Sequence, residues 1–250
     1  MNHDIRGVFF DLDDTLCDYV TASRTALRKT FEEFDLGVPP EEAVAVWRSI
    51  FPSFSKEIKT DRWYEHYLES GEITRTEHMR RTLQALGIEN DELAKVLSKR
   101  YADLRLDYLK LYPEAESLLP FLKGKYKLGL ITNGPMDVQR QEIERLGIQS
   151  YFDAILIEGE LKIGKPDPAI FYEAQKITNL QPSQLLFVGN AFEHDVQGAK
   201  NAGWYAIWFN SQNEENPGTE PQPDAEIRNL YEVCDFLKIP RPDKKNVEAK

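Results

Sequence analysis

The chain has 250 residues, with 31 Lys and Arg against 42 Asp and Glu, a formal net charge of −11. That balance disfavours a nucleic-acid polymer as partner, which needs a basic face, but it leaves room for a local basic pocket suited to a small phosphate. With 41% apolar and 29% charged residues the composition is that of a soluble globular protein, and the two cysteines, Cys17 and Cys234, fit neither a zinc spacing nor a disulfide framework.

The opening Met1-Asn2-His3-Asp4-Ile5-Arg6 lacks the apolar stretch of a signal peptide, and no run approaches the roughly 18 apolar residues of a membrane helix. A cytoplasmic protein with no membrane partner is expected. The apolar run 5–12, centred on Val8-Phe9-Phe10, reads as a strand buried on both faces. Further short apolar runs at 126–132, 153–157, 184–188 and 205–209 read the same way. Helical patterns alternate with them at 114–123, 135–146, 168–178 and 193–202, with Pro135 at a first-turn position. Strands alternating with helices of this length predict βαβ units and a parallel sheet. The fold class expected is α/β, a Rossmann-like parallel sheet core.

Residues 18–110 break that rhythm. They hold no strand pattern, and helical periodicity runs through 20–36, 40–50, 61–69, 74–86 and 90–108, as in Leu93, Val96, Leu97, Tyr101 and Leu104. An α-helical domain inserted into the core is expected, with the core drawn from 1–17 and 111–239. Such an insertion at the C-terminal end of a strand sits where open α/β sheets bind ligands. There is no internal repeat. The stretch 210–224 reads as a surface loop, 225–237 as a last helix, and 240–250 as a frayed, disordered tail.

The residues able to do chemistry cluster at strand ends. Asp11-Leu12-Asp13-Asp14-Thr15-Leu16 follows the first strand. Asp11 and Asp13 are two apart and share a face if the chain is still extended. Two carboxylates there need a proton or cation to offset them, and Mg²⁺, which prefers oxygen ligands, would serve. A carboxylate is also a competent nucleophile towards phosphorus. Asp14 or Thr15 could simply start a helix, and Asp14 is read that way.

Thr132-Asn133-Gly134 ends the second strand, where hydroxyl, amide and backbone N–H can face a phosphate or merely shape a turn. Lys165, between Gly164 and Pro166, is either a point charge for phosphate, an offset for the surrounding carboxylates, or a solvated loop lysine. In Val188-Gly189-Asn190-Ala191-Phe192-Glu193-His194-Asp195, Asn190 and Asp195 can both face a metal. His194 reads as a helix-surface residue and Glu193 as a first-turn acid.

Taken together, and in this order on successive core strands, these segments resemble the motifs of the haloacid dehalogenase-like hydrolase superfamily. FDLDDTL resembles its first motif, LITNG its second, GKPDPAIF its third and VGNAFEHDVQGAKNAG its fourth. The helical insertion is similar to a type I cap. GEITRTEHMRRTLQALGI and AEIRNLYEVCDFL resemble the branch holding pyrimidine nucleotidases and N-acylneuraminate-9-phosphatases.

The resemblance implies a Mg²⁺-dependent phosphatase acting on a small-molecule phosphomonoester through an aspartyl-phosphate. Asp11 would attack phosphorus, while Asp13 would protonate the leaving oxygen and then activate water. Thr132, Asn133 and Lys165 would bind the phosphate. Asp11, the Asp13 carbonyl, Asn190 and Asp195 would hold the metal. The cap would close over the substrate and choose the leaving group.

One position departs from the phosphatase pattern. Asn190 stands where those enzymes usually carry a metal-binding Asp, so weaker Mg²⁺ binding is expected. The metal-independent 2-haloacid dehalogenases use an Asn in this region, but their first motif has Tyr where this chain has Asp13. A non-catalytic binding protein and a phosphomutase are further alternatives. Nucleoside monophosphates and sugar phosphates are both compatible substrates. Arg24, Arg62, Trp63, Arg75, Arg80 and Arg81 are candidate cap contacts, each more simply read as a solvated helix face. Cys17 and Tyr19 are candidates to line the cleft.

Overall fold

The computed structural model describes residues 4–242, the side chains of 61 and 62 excepted. The expected N-terminal feature at 1–3 and most of the expected tail, from 243 on, lie outside the described residues. The elements run in chain order as β1 (Gly7–Phe10), α1 (Tyr19–Glu33), α2 (Pro40–Ile58), α3 (Asp61–Glu69), α4 (Gly71–Ala85), α5 (Asp91–Tyr108), α6 (Pro113–Leu122) and β2 (Lys127–Thr132). They continue as α7 (Met136–Leu146), β3 (Ala154–Ile157), α8 (Glu158–Leu161), α9 (Pro168–Thr178) and β4 (Leu185–Gly189), then α10 (Gly198–Asn201), β5 (Tyr205–Phe209), β6 (Ala225–Ile227) and α11 (Glu232–Leu237). Among the described residues no helix is long and apolar enough to cross a membrane.

The chain folds as two units. Unit 1 is made of Met1–Asp18, Leu111–Asn133 and Leu146–Lys250. Its sheet is parallel throughout, in the order β3-β2-β1-β4-β5-β6. After β1 the chain builds β2 and β3 on one side, then crosses to build β4, β5 and β6 on the other. The carboxyl ends flanking such a reversal are where open α/β sheets form their ligand crevice. Every residue of β1 and of β4 is buried, as a sheet covered on both faces requires.

The core of unit 1 is aromatic. Phe9 packs edge-on against Trp204 with ring centroids 5.0 Å apart, and Phe171 does so against Phe187 and Trp204, each at 5.4 Å. The Phe9 ring covers Gly129 so closely that a Cβ on Gly129 would lie 1.9 Å from Cε1, which is why β2 carries a glycine in mid-strand.

Two expectations for unit 1 are corrected. The stretch 225–237 does not form one helix. Ala225–Ile227 is a sixth strand against β5, and only Glu232–Leu237 is helical. The Asn210 N–H donates to the Ile227 carbonyl at 2.8 Å, and Ile227 is buried, so pairing to a sheet edge outweighs local helix preference. The segment expected as a helix over 193–202 opens as a wide π-helical turn over Phe192–Gln197 and only then tightens into α10. Such turns are frequent at functional sites.

Unit 2 is made of Tyr19–Lys110 and Gly134–Arg145. Its core gathers Ala26, Leu27, Phe31, Val44, Met79, Leu83, Leu97 and Tyr101 from α1, α2, α4 and α5. The helix expected over 40–50 extends to Ile58, because Ala43, Val44 and Phe54 are buried and its apolar face continues past Pro52. Asn90 caps α5 by accepting from the Leu93 N–H at 2.9 Å.

The short segment Gly134–Arg145 is bonded into this unit. Asp137 accepts from the Ser70 hydroxyl at 2.8 Å and from the Gly71 N–H at 2.9 Å. Glu142, fully buried, pairs with Arg105 at 3.1 Å.

Candidate active site

The candidate site lies within unit 1, at the carboxyl ends of β1, β2 and β4. Asp11 is the first residue after β1, and its N–H still bonds the Val188 carbonyl at 3.0 Å, which fixes its backbone against β4. Its side chain is buried. Oδ1 accepts from the Lys165 ammonium at 2.6 Å and Oδ2 from the Thr15 hydroxyl at 3.0 Å.

The expectation that Asp14, or else Thr15, begins a helix is corrected. The first helix begins only at Tyr19, Asp14 stands in the left-handed region at φ 57°, and Thr15 is wholly buried in the site. Asp tolerates that backbone conformation better than most residues do. The turn at Asp14 carries the chain back so that Thr15 reaches Asp11. Thr15 was missed because Thr followed by helical periodicity is also a common helix-start signal. Its placement directly after the acidic pair was the one cue to a role at the site.

Asp13 is half-buried. Its Oδ1 accepts from the Cys17 thiol at 3.8 Å, and Cys17 itself is fully buried.

Thr132 closes β2 at 1% exposure. Asn133 follows, and its amide clamps one peptide: Nδ2 donates to the Lys165 carbonyl at 2.7 Å while Oδ1 accepts from the Lys165 N–H at 2.8 Å. Both polar atoms of the Asn133 side chain are thus committed to the main chain of Lys165.

Lys165 is no solvated loop lysine. Its side chain is 2% exposed, and Nζ lies 2.6 Å from Asp11 Oδ1 and 2.6 Å from Asp195 Oδ1. The Phe187 ring centroid is 5.1 Å from the same ammonium. Burial disfavours that charge, but the two carboxylates outweigh it and raise the lysine pKa.

Asp195 comes from the π-helical turn. Oδ1 holds Lys165, and Oδ2 accepts from the Ala191 N–H at 2.8 Å. The carboxyl fits against bare backbone: a Cβ on Gly189 would lie 2.3 Å from Oδ2, so the end of β4 must be glycine. Burial, with the Asp11 charge, pushes the Asp195 carboxyl up to about 6, against the pull of Lys165.

Asn190 is held at both ends. Its N–H donates to Thr15 Oγ1 at 3.1 Å, its carbonyl accepts from Trp208 Nε1 at 2.8 Å, and its Oδ1 lies 3.3 Å from Thr15 Oγ1. His194 is half-buried and not on the open surface, whereas Glu193 is exposed in the first turn.

The donor set can be tested against a metal ion. Among the described residues no group of three or more His, Cys, Asp or Glu side chains is placed to hold one. What converges is Asp11 Oδ2 and Asn190 Oδ1, at 3.0 and 3.3 Å from one Thr15 hydroxyl, whose single proton can serve only one of them. Both are oxygen ligands, the kind a hard cation prefers. Mg²⁺ takes one or two carboxylates and fills its remaining positions with water and substrate phosphate. The Asp11–Lys165–Asp195 cluster carries a net charge of −1 when both acids are ionised, which would repel a phosphate unless a cation joined it.

Residues 5–203 match the family model for haloacid dehalogenase-like hydrolases. The chain is 32% identical over 238 residues to the N-acylneuraminate-9-phosphatase of Rattus norvegicus, covering 94% of each. It is 28% identical over 231 residues to a pyrimidine 5'-nucleotidase of Escherichia coli, covering 92% of this chain and 96% of that one. Among solved structures, the 2-haloacid dehalogenase of Pseudomonas syringae pv. Tomato superposes with a TM-score of 0.65 at 30% identity, covering 94% of this chain and 98% of that one.

Proposed function

We propose that this chain, which belongs to the haloacid dehalogenase-like hydrolases, is a Mg²⁺-dependent phosphatase of small phosphomonoesters. The observation that carries the reading is Asp11: a buried carboxylate at the end of a central strand, oriented by the Thr15 hydroxyl and the Lys165 ammonium. Its relatives include phosphatases of a sugar acid phosphate and of pyrimidine nucleotides. The longer and closer match favours a sugar phosphate here, with a nucleoside monophosphate second.

In this reading an Asp11 oxygen forms a bond to phosphorus as the bond from phosphorus to the leaving oxygen breaks. Asp13 gives its proton to that oxygen. The aspartyl-phosphate is then cleaved by water, whose proton returns to Asp13, and Asp11 is regenerated. Lys165 and Thr132 hold the phosphoryl oxygens. Asn133 and Asp195 are positioning residues: Asn133 fixes the Lys165 backbone and Asp195 its ammonium. Asp11, the Asp13 carbonyl and the Asn190 amide oxygen would hold Mg²⁺, with the Asp195 charge behind them. The ion supplies charge neutralisation for the phosphate and for the charge that develops on it. The domain division of the mechanism, a catalytic core and a substrate-selecting helical insertion over 18–110, belongs to the same proposal, as does a cytoplasmic setting.

The test is phosphate release from a panel of phosphomonoesters with Mg²⁺ and with EDTA, using Asp11→Asn as control. Metal-dependent release that vanishes in the variant supports the reading. Asn190 and the structural likeness to a 2-haloacid dehalogenase favour one rival. Halide release from 2-haloacids in EDTA, without phosphate release, would establish it instead.

A further inference from the structure

Of the unit 2 side chains that the sequence offers as ligand contacts, most are accounted for. Arg24 is exposed, Arg80 pairs with Glu77, and Arg81 pairs with Glu57 and Glu77. Trp63 Nε1 donates to Glu57, and the side chain of Arg62 lies outside the described residues. Arg75 differs. It is half-buried on α4, its Nε donates to the Ser98 carbonyl at 3.2 Å, and it makes no ion pair among the described residues.

The surroundings sharpen the contrast. Arg105 is a second, nearly buried guanidinium close enough to repel Arg75, and burial and that repulsion together lower the Arg75 pKa. Arg105 has a buried counter-ion in Glu142. Two carboxylates reach Arg75 by their fields: Asp137, the stronger, spends its oxygens on the Ser70 hydroxyl and on the N–H groups of Gly71 and Val138, and Glu72 is exposed to solvent. One turn before Arg75 stands Gly71, where a Cβ would come within 3.3 Å of Arg75 Nη1. A half-buried cation in no direct ion pair among the described residues, beside a like charge, is held at an electrostatic cost that a bound anion would relieve.

We propose that unit 2 holds a carboxylate-binding site whose fork is the pair of Nη groups of Arg75. With Nε pinned to Ser98, the two remaining N–H edges lie in one plane and match the two oxygens of a carboxylate. Arg105 is paired with Glu142, and Asp137 is turned to Ser70, Gly71 and Val138, so the Nη edges of Arg75 have no acceptor among the described residues, and a single fork suits one carboxylate. The carboxylate belongs either to the phosphorylated substrate itself, an acidic sugar phosphate, or to a separate small carboxylic acid. The first source rests on the phosphatase reading; the site does not.

The test is calorimetric titration of the full chain with N-acetylneuraminate and with its methyl ester, on the wild type, Arg75→Gln and Arg75→Lys. The acid should bind and the ester should not, and Arg75→Gln should weaken the acid about thirty-fold, the loss expected for one charge-assisted contact. Arg75→Lys, which keeps the charge but loses the fork, should fall between, and it carries the test if Arg75→Gln melts early by circular dichroism. Acid and ester binding alike, or variants binding like wild type, would overturn the proposal.

A kinetic arm separates the two sources. The ratio of kcat/KM for N-acetylneuraminate 9-phosphate to that for p-nitrophenyl phosphate should fall about thirty-fold in Arg75→Gln if the substrate supplies the carboxylate. Calorimetric loss with an unmoved ratio assigns the site to a separate acid. If the wild type hydrolyses neither ester, the phosphatase reading fails, and the calorimetry still decides the site.

Discussion

The ammonium of Lys165 lies 2.6 Å from a carboxylate oxygen of Asp195, with their side chains only 2% and 1% exposed. Lys165→Met would leave Asp195 and Asp11 without their shared cation. The expected cost is about 3–5 kcal/mol, the usual result of stripping one partner from a buried ion pair. The loss depends on pH. Asp195 titrates at about 6 in the fold against 3.8 ordinarily, so the folded chain holds the extra proton between those values and its stability falls as pH rises through them. Removing Lys165 extends that window upward. Denaturant unfolding in EDTA should therefore show a larger deficit at pH 8 than at pH 5, and equal deficits would count against the assignment.

Thr15 serves two partners at once, donating to Asp11 and accepting from the Asn190 N–H. Thr15→Val keeps the volume and removes both bonds. We expect about 1–3 kcal/mol of lost stability from the stranded N–H, and about a tenfold fall in kcat/KM as Asp11 loses its orientation. Thr15→Ser should recover most of both. A Val variant with wild-type kinetics would remove Thr15 from the site.

Asn190→Asp adds a charge beside Asp11. In EDTA the extra carboxylate should lower the melting temperature. With Mg²⁺ the order should reverse, and half-saturation should come at a metal concentration at least about tenfold lower than in the wild type. Metal titrations that superpose would mean that Asn190 is not a ligand.

His78 offers a test within unit 2. It is 4% exposed, its ring stacks on Trp47 at 4.1 Å, and its Nε2 lies 2.9 Å from the Trp47 carbonyl. Burial, offset in part by that bond, lowers its pKa from 6.5 to about 4. Between those values the unfolded chain binds a proton that the folded chain refuses. Stability therefore falls as pH drops from 6.5 towards 4, by on the order of 3 kcal/mol. His78→Gln should flatten that part of the stability curve, and an unchanged slope would place the acid sensitivity elsewhere.

The long buried runs were legible because a strand covered on both faces has to be apolar throughout, as Val8-Phe9-Phe10 and Leu185–Val188 are. Ala225–Ile227 was not, because Ala and Glu favour helix and only the edge of β5 makes them extended. The π-helical turn over Phe192–Gln197 left no sequence mark either. At the site, the residue types pointed to Asp11 and Lys165. The engagement of Asn133 with the Lys165 backbone needed the fold, since an Asn before a Gly is equally a turn residue.

The segment Gly134–Arg145 contributes Asp137 and Glu142 to unit 2 from beyond the 19–110 stretch. The helical insertion is therefore not a cassette that can be lifted out by cutting at 18 and 110. A graft made at those points would leave a fully buried glutamate facing an alien surface and strip the start of α4 of the carboxylate that receives its first N–H. Exchange of this unit between related enzymes, in the laboratory or over evolutionary time, has to carry two pieces of chain together. Between-family shuffling of the insertion alone should yield insoluble chimeras unless positions 137 and 142 travel with it.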